Sequence, residues 1–327
     1  MLKYAVIFFV ASSLGAVFTF FLAKVSLRFK LLKDGNIPLV GGLAVGAAFI
    51  IALVLGGRIF GLVMPKVWAV AGVGLLMLAL GVIDDLKELS VIQKLLTQSL
   101  CALLLIFFGV RTEIMYFGFW PNALITFFGI LSITNAFNLL DIMDGLASGI
   151  SLIVSSAFLV IAFLNADLNA QLLSLVVCAI SMGFLIFNLP PARVYLGNAG
   201  SHFFGLLIAS LALITHYASS GNAFALFSPL MILGLPIIDT TLLIVFRIMK
   251  KKMPFSKSRD HIALKIGALG FSPLETIFIM YLLGVIFSAC GIVLTQVNNL
   301  FAAVITVSVF LFGIGIFLRL IKIEVND

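Results

Sequence analysis

Long apolar stretches separated by short polar segments run through the whole chain. They do not alternate with a period of two, which disfavours a transmembrane β-barrel. Several approach or reach the roughly 20 residues that a helix needs to cross a bilayer. The pattern therefore predicts an all-α polytopic membrane protein with about eleven transmembrane helices. The predicted spans are 4–23, 39–57, 67–83, 95–110, 123–137, 149–164, 172–187, 201–218, 224–248, 275–295 and 300–318.

The composition agrees, because the 327 residues are 63% hydrophobic and only 10% charged. An average soluble domain has about 25% charged residues. We therefore exclude a soluble enzyme, a disordered protein and a nucleic-acid-binding protein, although the sequence pI is about 9.4. The three cysteines lie within apolar runs and are interpreted as packing residues. We expect one membrane domain over residues 1–327.

The basic residues are divided unequally between the two sides of the predicted membrane. About sixteen Lys and Arg residues fall on one side and four on the other. The positive-inside rule places the richer side in the cytoplasm, with the N-terminus outside and the C-terminus cytoplasmic. The basic cluster follows the first apolar stretch, which favours an N-out helix over a cleavable signal peptide. This arrangement predicts a multi-pass protein of the inner (plasma) membrane.

Most acidic residues lie on the same predicted side, at the ends of spans, where carboxylates are costly unless they have a use. Asp84 and Asp85 end the third span, and Lys94 begins the next helix. Adjacent carboxylates raise each other's proton affinity, so one could act as a base or face a phosphate. The alternative is a solvated helix cap.

A second polar cluster ends the fifth span, in the segment NAFNLLDIMDGLASG. Asn135, Asn138, Asp141 and Asp144 recur every three residues, which predicts a spiralling polar stripe on one helix. Gly145 would then let the chain leave the helix. The stripe favours a binding site, and a polar seam between packed helices is the alternative.

A third cluster, NLPPARVYLGNAGSHFFG, contains Asn188, Arg193 and Asn198. Small residues before Ser201 predict a helix start whose free N–H groups could bind phosphate. An ordinary turn capped by Ser201 is the alternative.

The fourth cluster lies towards the C-terminus. Asp239, inside the ninth span, is a candidate functional residue, and Pro236 should kink its helix. Arg259 and His261, in a basic loop, are candidates for ligand contact. The other basic residues of the loop could instead hold anionic lipid headgroups.

In this order, the motifs resemble those of the polyprenyl-phosphate N-acetylhexosamine-1-phosphate transferases. The matching pieces are DDLKE with Lys94, NAFNLLDIMDGL, LGNAGS, PIIDT and SRDHI. About eleven spans fit the N-acetylglucosamine branch of that family. The resemblance implies transfer of N-acetylglucosamine-1-phosphate from a UDP-sugar to undecaprenyl phosphate, with release of UMP. It also implies Mg²⁺, with Mn²⁺ as an alternative, and an early role in cell-envelope polysaccharide synthesis, such as that of lipopolysaccharide.

The resemblance also implies roles for individual residues. Asp84, Asp85 and Lys94 would be catalytic, and Asn138 and Asn198 would bind the metal. Membrane lipid and a second copy of the chain are the further expected partners. The resemblance implies that Asp141 and Asp144 line the nucleotide site and that the loop around Arg259 and His261 covers the sugar or pyrophosphate. The polar clusters themselves add four expected substrate-binding residues: Asn135, Asn188, Arg193 and Asp239.

Three departures from the family pattern bear on activity. Asn198 stands where the family usually has Asp, Ile142 replaces a usual Gly, and the His-x-His-His motif becomes residues 261–264, HIAL. A non-catalytic homologue that binds lipid phosphate or nucleotide sugar is therefore an alternative. A transporter is disfavoured, because most acids lie on one face and no repeat is found.

Overall fold

The computed structural model describes residues 1–61, 64–217, 223–251 and 260–323, and these are almost entirely helical. The predicted all-α membrane architecture is confirmed, since nine helices in these ranges are long and apolar enough to cross a membrane. The helices are α1 (Leu2–Phe29), α2 (Gly41–Phe60), α3 (Pro65–Lys87), α4 (Val91–Phe107), α5 (Phe119–Leu140), α6 (Leu146–Leu164), α7 (Leu168–Asn188), α8 (Gly197–Ile214), α9 (Ser228–Ile232), α10 (Gly234–Met249), α11 (Ile262–Ala268), α12 (Pro273–Leu294) and α13 (Asn299–Leu320).

Each of the eleven predicted spans coincides with helical structure. Nine are the long helices, and the fourth is α4, which at 17 residues is shorter than an ordinary span. The ninth is broken into a 3₁₀ helix with α9, followed by α10 at an angle of 71°. Pro236, in the first turn of α10, has no N–H to donate to the carbonyl of Ile232, which explains the break. The direction in which the chain crosses the membrane stays a prediction.

The chain divides into two compact units, residues 1–216 and 217–327. In the first unit, α7 and α8 are the most buried spans, and their side chains are apolar or small on nearly every face. In the second unit, α12 packs on α9, where the Ser228 hydroxyl donates to the Gly291 carbonyl at 2.6 Å. Helix α13 leaves most of its apolar surface exposed, as expected of a helix that faces lipid.

Glycines allow α2, α3 and α8 to come unusually close around Ala199. A Cβ on Gly42 would lie 2.4 Å from the backbone nitrogen of Gly200. A Cβ on Gly81 would lie 2.5 Å from the Cα of Ala199. Since real Cβ atoms do not approach backbone so closely, only glycine permits this packing. It brings the last turn of α3 against the first turn of α8.

The sequence reasoning missed one small element, a two-stranded antiparallel hairpin between α1 and α2. Its strands are β1 (Lys33–Asp34) and β2 (Ile37–Pro38). Gly35, at φ +56°, supplies the left-handed residue of the turn. The hairpin is anchored to the loop before α8, because the Tyr195 N–H donates to the Pro38 carbonyl at 2.9 Å.

The packing of α3 predicts that alanine lowers stability at one of its glycines, Gly81, and not at another, Gly72. Gly81→Ala should lower the free energy of unfolding by about 1–3 kcal/mol, the usual cost of overpacking. Gly72→Ala is the matched control, because no atom lies within 4 Å of its added Cβ. Thermal unfolding in detergent measures both. Equal melting temperatures for the two variants would contradict the close approach of α3 and α8.

Candidate active site

Asp85, in the last turn of α3, makes a polar contact with α8. Its carboxylate accepts the N–H groups of Asn198 at 2.8 Å and Ala199 at 3.1 Å. A carboxylate is stabilised there, because the N-terminus of a helix carries unpaired donors and partial positive charge. The prediction that these N–H groups are free to bind phosphate is wrong for these two residues, since Asp85 already occupies them. Ser201 is not the cap either.

Asp84 turns to a different partner from its neighbour. It is buried, with one carboxylate oxygen accepting the Leu89 N–H at 2.7 Å and the other 2.7 Å from the Lys94 ammonium. Lys94 lies in the first turn of α4, which begins with a capping box of Ser90 and Gln93. The adjacent carboxylates therefore do not act as a shared pair in this arrangement, because each has its own basic or N–H partner.

Asn138 and Asn198, the predicted metal ligands, are brought together. The Asn138 amide group donates to the side-chain oxygen of Asn198 at 2.9 Å and to the Ser201 hydroxyl at 3.0 Å. His202, one turn further along α8, places Nδ1 2.8 Å from the carbonyl oxygen of Asn198. In this arrangement the two amides bond to each other, and their role as metal ligands stays a prediction.

The predicted polar stripe does not stay on one helix. Helix α5 ends at Leu140, so Asn135 and Asn138 lie on the helix while Asp141 and Asp144 lie in the following turn. Gly145, at φ +78°, ends that turn at the start of α6. The prediction that one helix carries all four residues is therefore wrong.

The turn is fixed to the loop before α8 by two predicted substrate-binding residues. Asp144 accepts the Ala192 N–H at 2.9 Å. Buried Asn188 accepts from the Gly145 N–H at 3.1 Å and from the Ser148 hydroxyl at 2.7 Å. These hydrogen bonds fix the position of the turn relative to the loop. Contact of either side chain with substrate stays a prediction.

A cavity of about 780 Å³ opens between these segments of the first unit. It is large enough for a small ligand of nucleotide size. Six of the predicted site residues line it: Asp84, Asp85, Asp141, Asp144, Asn188 and Asn198. Lys94 lies behind Asp84 in a small neighbouring void that it shares with His202.

Lys94 and Asn138 are not on the described cavity wall but contact its residues Asp84 and Asn198. Two further predicted residues of the first unit lie away from the wall. Asn135 is bonded to Gln98 on α4, at 2.6 and 3.2 Å. Arg193 is exposed in the loop before α8, where its N–H donates to the Phe187 carbonyl at 2.8 Å. Their assignment to substrate binding stays a prediction.

Sequence reasoning missed four polar residues of the cavity wall: Lys33, Asp34, Glu88 and Tyr195. Lys33 and Asp34 belong to the β-hairpin, and Glu88 follows α3 with φ +46°. The available signal was weak. Lys33 contributed only to the count of positive charges, and nothing in the segment KDGN shows that it folds back over the site.

Burial raises the pKa of Asp141 well above its usual range, and the nearby carboxylates of Asp85 and Asp144 raise it further. The carboxylate of Asp141 is therefore repelled by those of Asp85 and Asp144. Their mutual repulsion would be relieved by a bound cation.

The second unit contains Asp239 and His261, each nearly fully buried. The carboxylate of Asp239 accepts the Ile262 N–H at 2.7 Å and lies 3.0 Å from His261 Nδ1. Asp239 thus caps α11, which explains a carboxylate within an apolar helix. Arg259, the remaining predicted residue, lies outside the described residues.

Comparison with known proteins decides the family. A family model for glycosyl transferase family 4 matches residues 67–216. A probable undecaprenyl-phosphate N-acetylglucosaminyl 1-phosphate transferase of Bacillus subtilis is 34% identical over 301 residues, covering 90% of this chain and 81% of the relative. The chain belongs to this transferase family.

Other members are similar over most of their length. A decaprenyl-phosphate N-acetylglucosaminephosphotransferase of Mycolicibacterium smegmatis is 29% identical, over 75% of this chain and 68% of the relative. An undecaprenyl-phosphate alpha-N-acetylglucosaminyl 1-phosphate transferase of Escherichia coli K12 is 25% identical, over 84% of this chain and 80% of the relative. The resemblance found in the sequence is confirmed, and the protein is a multi-pass membrane member of a phosphotransferase family.

The crowding of carboxylates in the transferase cavity predicts a pH-dependent stability. A carboxyl group whose pKa is raised on folding stabilises the fold below its unfolded pKa of about 4 and loses that contribution as pH rises through the folded pKa. Asp141→Asn should therefore melt higher than the wild type near pH 7 in EDTA. The difference should shrink as the pH falls towards about 4. A constant difference across this range in detergent would contradict the raised pKa.

Proposed function

We propose that the protein transfers N-acetylglucosamine-1-phosphate from UDP-N-acetylglucosamine to undecaprenyl phosphate and releases UMP. The observation that carries this proposal is the carboxylate-lined cavity at the ends of α3, α5 and α8, in a chain 34% identical to the Bacillus subtilis relative. A polyprenyl chain is buried in the bilayer, so an enzyme must bind its phosphate at the membrane surface. The reaction would begin a cell-envelope polysaccharide.

The reaction balances without a redox partner. An oxygen of the lipid phosphate forms a bond to the β-phosphorus of the UDP-sugar. The bond from that phosphorus to the oxygen bridging the α-phosphate breaks, and the bridging oxygen leaves with UMP. Phosphoryl transfer of this kind depends mainly on positioning and charge neutralisation.

The charge of the cavity supports a requirement for a divalent cation. Its described wall holds the carboxylates of Asp34, Asp84, Asp85, Glu88, Asp141 and Asp144, but one amine, that of Lys33. Such a wall repels the phosphates of both substrates unless a cation intervenes. Phosphotransferases of this family are generally metal-dependent, and hard carboxylate and amide oxygens suit Mg²⁺, with Mn²⁺ as the alternative.

Three of the residues that fit such an ion line the cavity, and the fourth, Asn138, is bonded to the wall residue Asn198. The described residues contain no preformed cluster of three His, Cys, Asp or Glu side chains. Asp85 and Asp141 would supply carboxylates, and Asn138 and Asn198 would supply amide oxygens. The ion would neutralise phosphate charge and polarise the phosphorus under attack.

The protein's own side chains would orient the substrates. The Lys94 ammonium lies 2.7 Å from the carboxylate of buried Asp84, which fixes it at the edge of the site. From there it would form a charge-assisted hydrogen bond to the lipid phosphate. Asp85 fixes the start of α8 and thereby the side chain of Asn198. Asp141 and Asp144, in the turn after α5, face the side on which the nucleotide would lie.

The orientation is part of the proposal. The sixteen-to-four division of basic residues supports an inner (plasma) membrane protein whose site faces the cytoplasm. Nucleotide sugars are made in the cytoplasm. Alkaline phosphatase fused after Asp327 should be inactive, while a cytoplasmic reporter there should be active. An active phosphatase fusion would reverse the orientation.

A second candidate function is binding of nucleotide sugar or lipid phosphate without turnover. Asn198 favours it, because an amide is a weaker ligand for Mg²⁺ than the carboxylate usual in the family. The lipid-transfer assay separates the two functions, because a protein that only binds its ligands makes no labelled lipid product.

Purified protein given radiolabelled UDP-N-acetylglucosamine, undecaprenyl phosphate and Mg²⁺ should transfer label to the lipid phase, and EDTA should abolish the transfer. Asp84→Asn and Asp85→Asn should each lower turnover by at least about 100-fold. Asp85→Asn should also lower the melting temperature, because it removes an acceptor from α8. Glu113→Gln is the control, an exposed acid that pairs with Lys66 at 3.4 Å. Near-normal turnover in both Asp variants would contradict the assigned site.

Asn198→Asp should tighten Mg²⁺ binding and raise turnover, because it adds a negative charge to the proposed metal site without changing its shape. The measurements are a Mg²⁺ titration of activity and, independently, the shift in melting temperature with Mg²⁺ for both proteins. If neither titration moves, Asn198 does not contact the metal.

A further inference from the structure

Polar contacts close a ring around α3, α4, α5 and α8 of the first unit. Asp84 joins α3 to α4 through Lys94 at 2.7 Å. Asp85 joins α3 to α8 through the Asn198 N–H at 2.8 Å, and Asn138 joins α5 to α8 at 2.9 Å. All three contacts involve predicted site residues. The fourth side of the ring, between α4 and α5, is made by Gln98 and Asn135.

Gln98 and Asn135 form a reciprocal amide pair. The Asn135 amide group donates to the Gln98 oxygen at 2.6 Å, and the Gln98 amide group donates back to the Asn135 oxygen at 3.2 Å. The Asn135 amide group also donates to the Leu131 carbonyl at 2.9 Å. Gln98 is only 1% exposed. Within a membrane, such groups must be satisfied inside the protein, so each amide depends on the other.

The pair stands directly behind the site on both helices. Gln98 follows Lys94 by four residues on α4, and Asn135 precedes Asn138 by three on α5. Residues at these spacings lie on the same face of a helix, one turn apart. Fixing Gln98 against Asn135 therefore fixes Lys94 relative to Asn138.

Helix α4 packs against α3 and α5, and its Lys94 pairs with Asp84 of α3. It is a 17-residue helix, and its buried side chains are those of Gln98, Cys101, Ala102 and Leu105. A longer stripe of its apolar residues is exposed: Ile92, Leu96, Leu100, Leu103 and Phe107. Because only three of its apolar side chains are buried, the directional contact between Gln98 and Asn135 helps to set the register of α4 against α5.

We propose that Gln98 and Asn135 are positioning residues that hold Lys94 in register with Asn138, and so hold the two halves of the site together. This rests on the proposed function. The role assigned here to Asn135 is a contact with α4 in place of the contact with substrate expected from the sequence. Neither amide would touch the reacting atoms.

The test is the lipid-transfer assay on purified full-length variants, with melting temperature measured in parallel. Gln98→Leu and Asn135→Leu should each lower kcat by about 10- to 100-fold, as expected when a catalytic group is displaced by about 1 Å. KM for UDP-N-acetylglucosamine should change less than about threefold, because uniform substrate binding is not lost. Both single variants should melt lower, since each leaves a buried amide unpaired.

Two double variants separate positioning from stability. In Gln98→Leu with Asn135→Leu the melting temperature should recover, because no polar group is left unpaired, but kcat should stay low. In Gln98→Asn with Asn135→Gln the two amides and their combined length are kept, and kcat should recover. Asn122→Leu is the matched control, a buried amide on the same helix about 24 Å from Asn138. It should melt lower with kcat unchanged.

Three outcomes would overturn the proposal. Single variants with kcat within about twofold of the wild type would show that the pair does not position Lys94. Recovery of kcat together with melting temperature in the double Leu variant would show a structural role only. A raised KM in Asn135→Leu alone would show that Asn135 contacts the substrate, as expected from the sequence, and does not act by positioning Lys94. Wild-type protein that makes no lipid-linked sugar would instead overturn the proposed function, and the positioning role with it.

Discussion

The site depends on the contact between the carboxylate of Asp85 and the first N–H groups of α8. An anion at a helix N-terminus satisfies donors that would otherwise be unpaired at the membrane edge. The contact forms only because Gly81 and Gly42 let α3 and α2 approach the backbone around Ala199. Gly197 begins α8 at φ +77°, a left-handed conformation that favours glycine, and an added Cβ would lie 2.8 Å from an Asp85 oxygen. The apolar packing of three helices thus fixes where the polar groups stand.

The same arrangement places an excess of negative charge around the cavity, which disfavours binding of anionic substrates. The carboxylates around the cavity outnumber its amines, and the pKa of Asp141 is raised by burial and by its acidic neighbours. A polyanionic ligand adds to that repulsion. A divalent cation would reduce this repulsion for protein and substrate together, so the charge of the cavity wall supports metal-dependent phosphoryl transfer. In the proposed metal site, Asn198 would supply one negative charge fewer than the Asp expected there from the resemblance.

The sequence predicts the spans well, because hydropathy over about 20 residues is a local property. It also points to Asp84, Asp85, Asp141, Asp144 and Asn198, which stand in polar motifs at span ends and do line one cavity.

What it does not predict are contacts between segments distant in the chain. Asp85 and Asn198 are 113 residues apart, so no local pattern shows that Asp85 occupies the N–H groups of α8. The role of Gln98 could not be predicted from the sequence for the same reason. A single glutamine in an apolar helix carries no motif, and its importance appears only opposite Asn135.

We infer that the carboxylate-lined cavity beside the polar ring of α3, α4, α5 and α8 is the nucleotide site of a membrane phosphotransferase. A cryo-EM structure of the full chain with UMP and Mg²⁺ tests it most directly. We predict density for the nucleotide phosphate beside Asp85, Asp141 and Asn198, with Asp85 still bonded to the start of α8. Nucleotide density elsewhere on the molecule, or Asp85 turned away from α8, would contradict the claim.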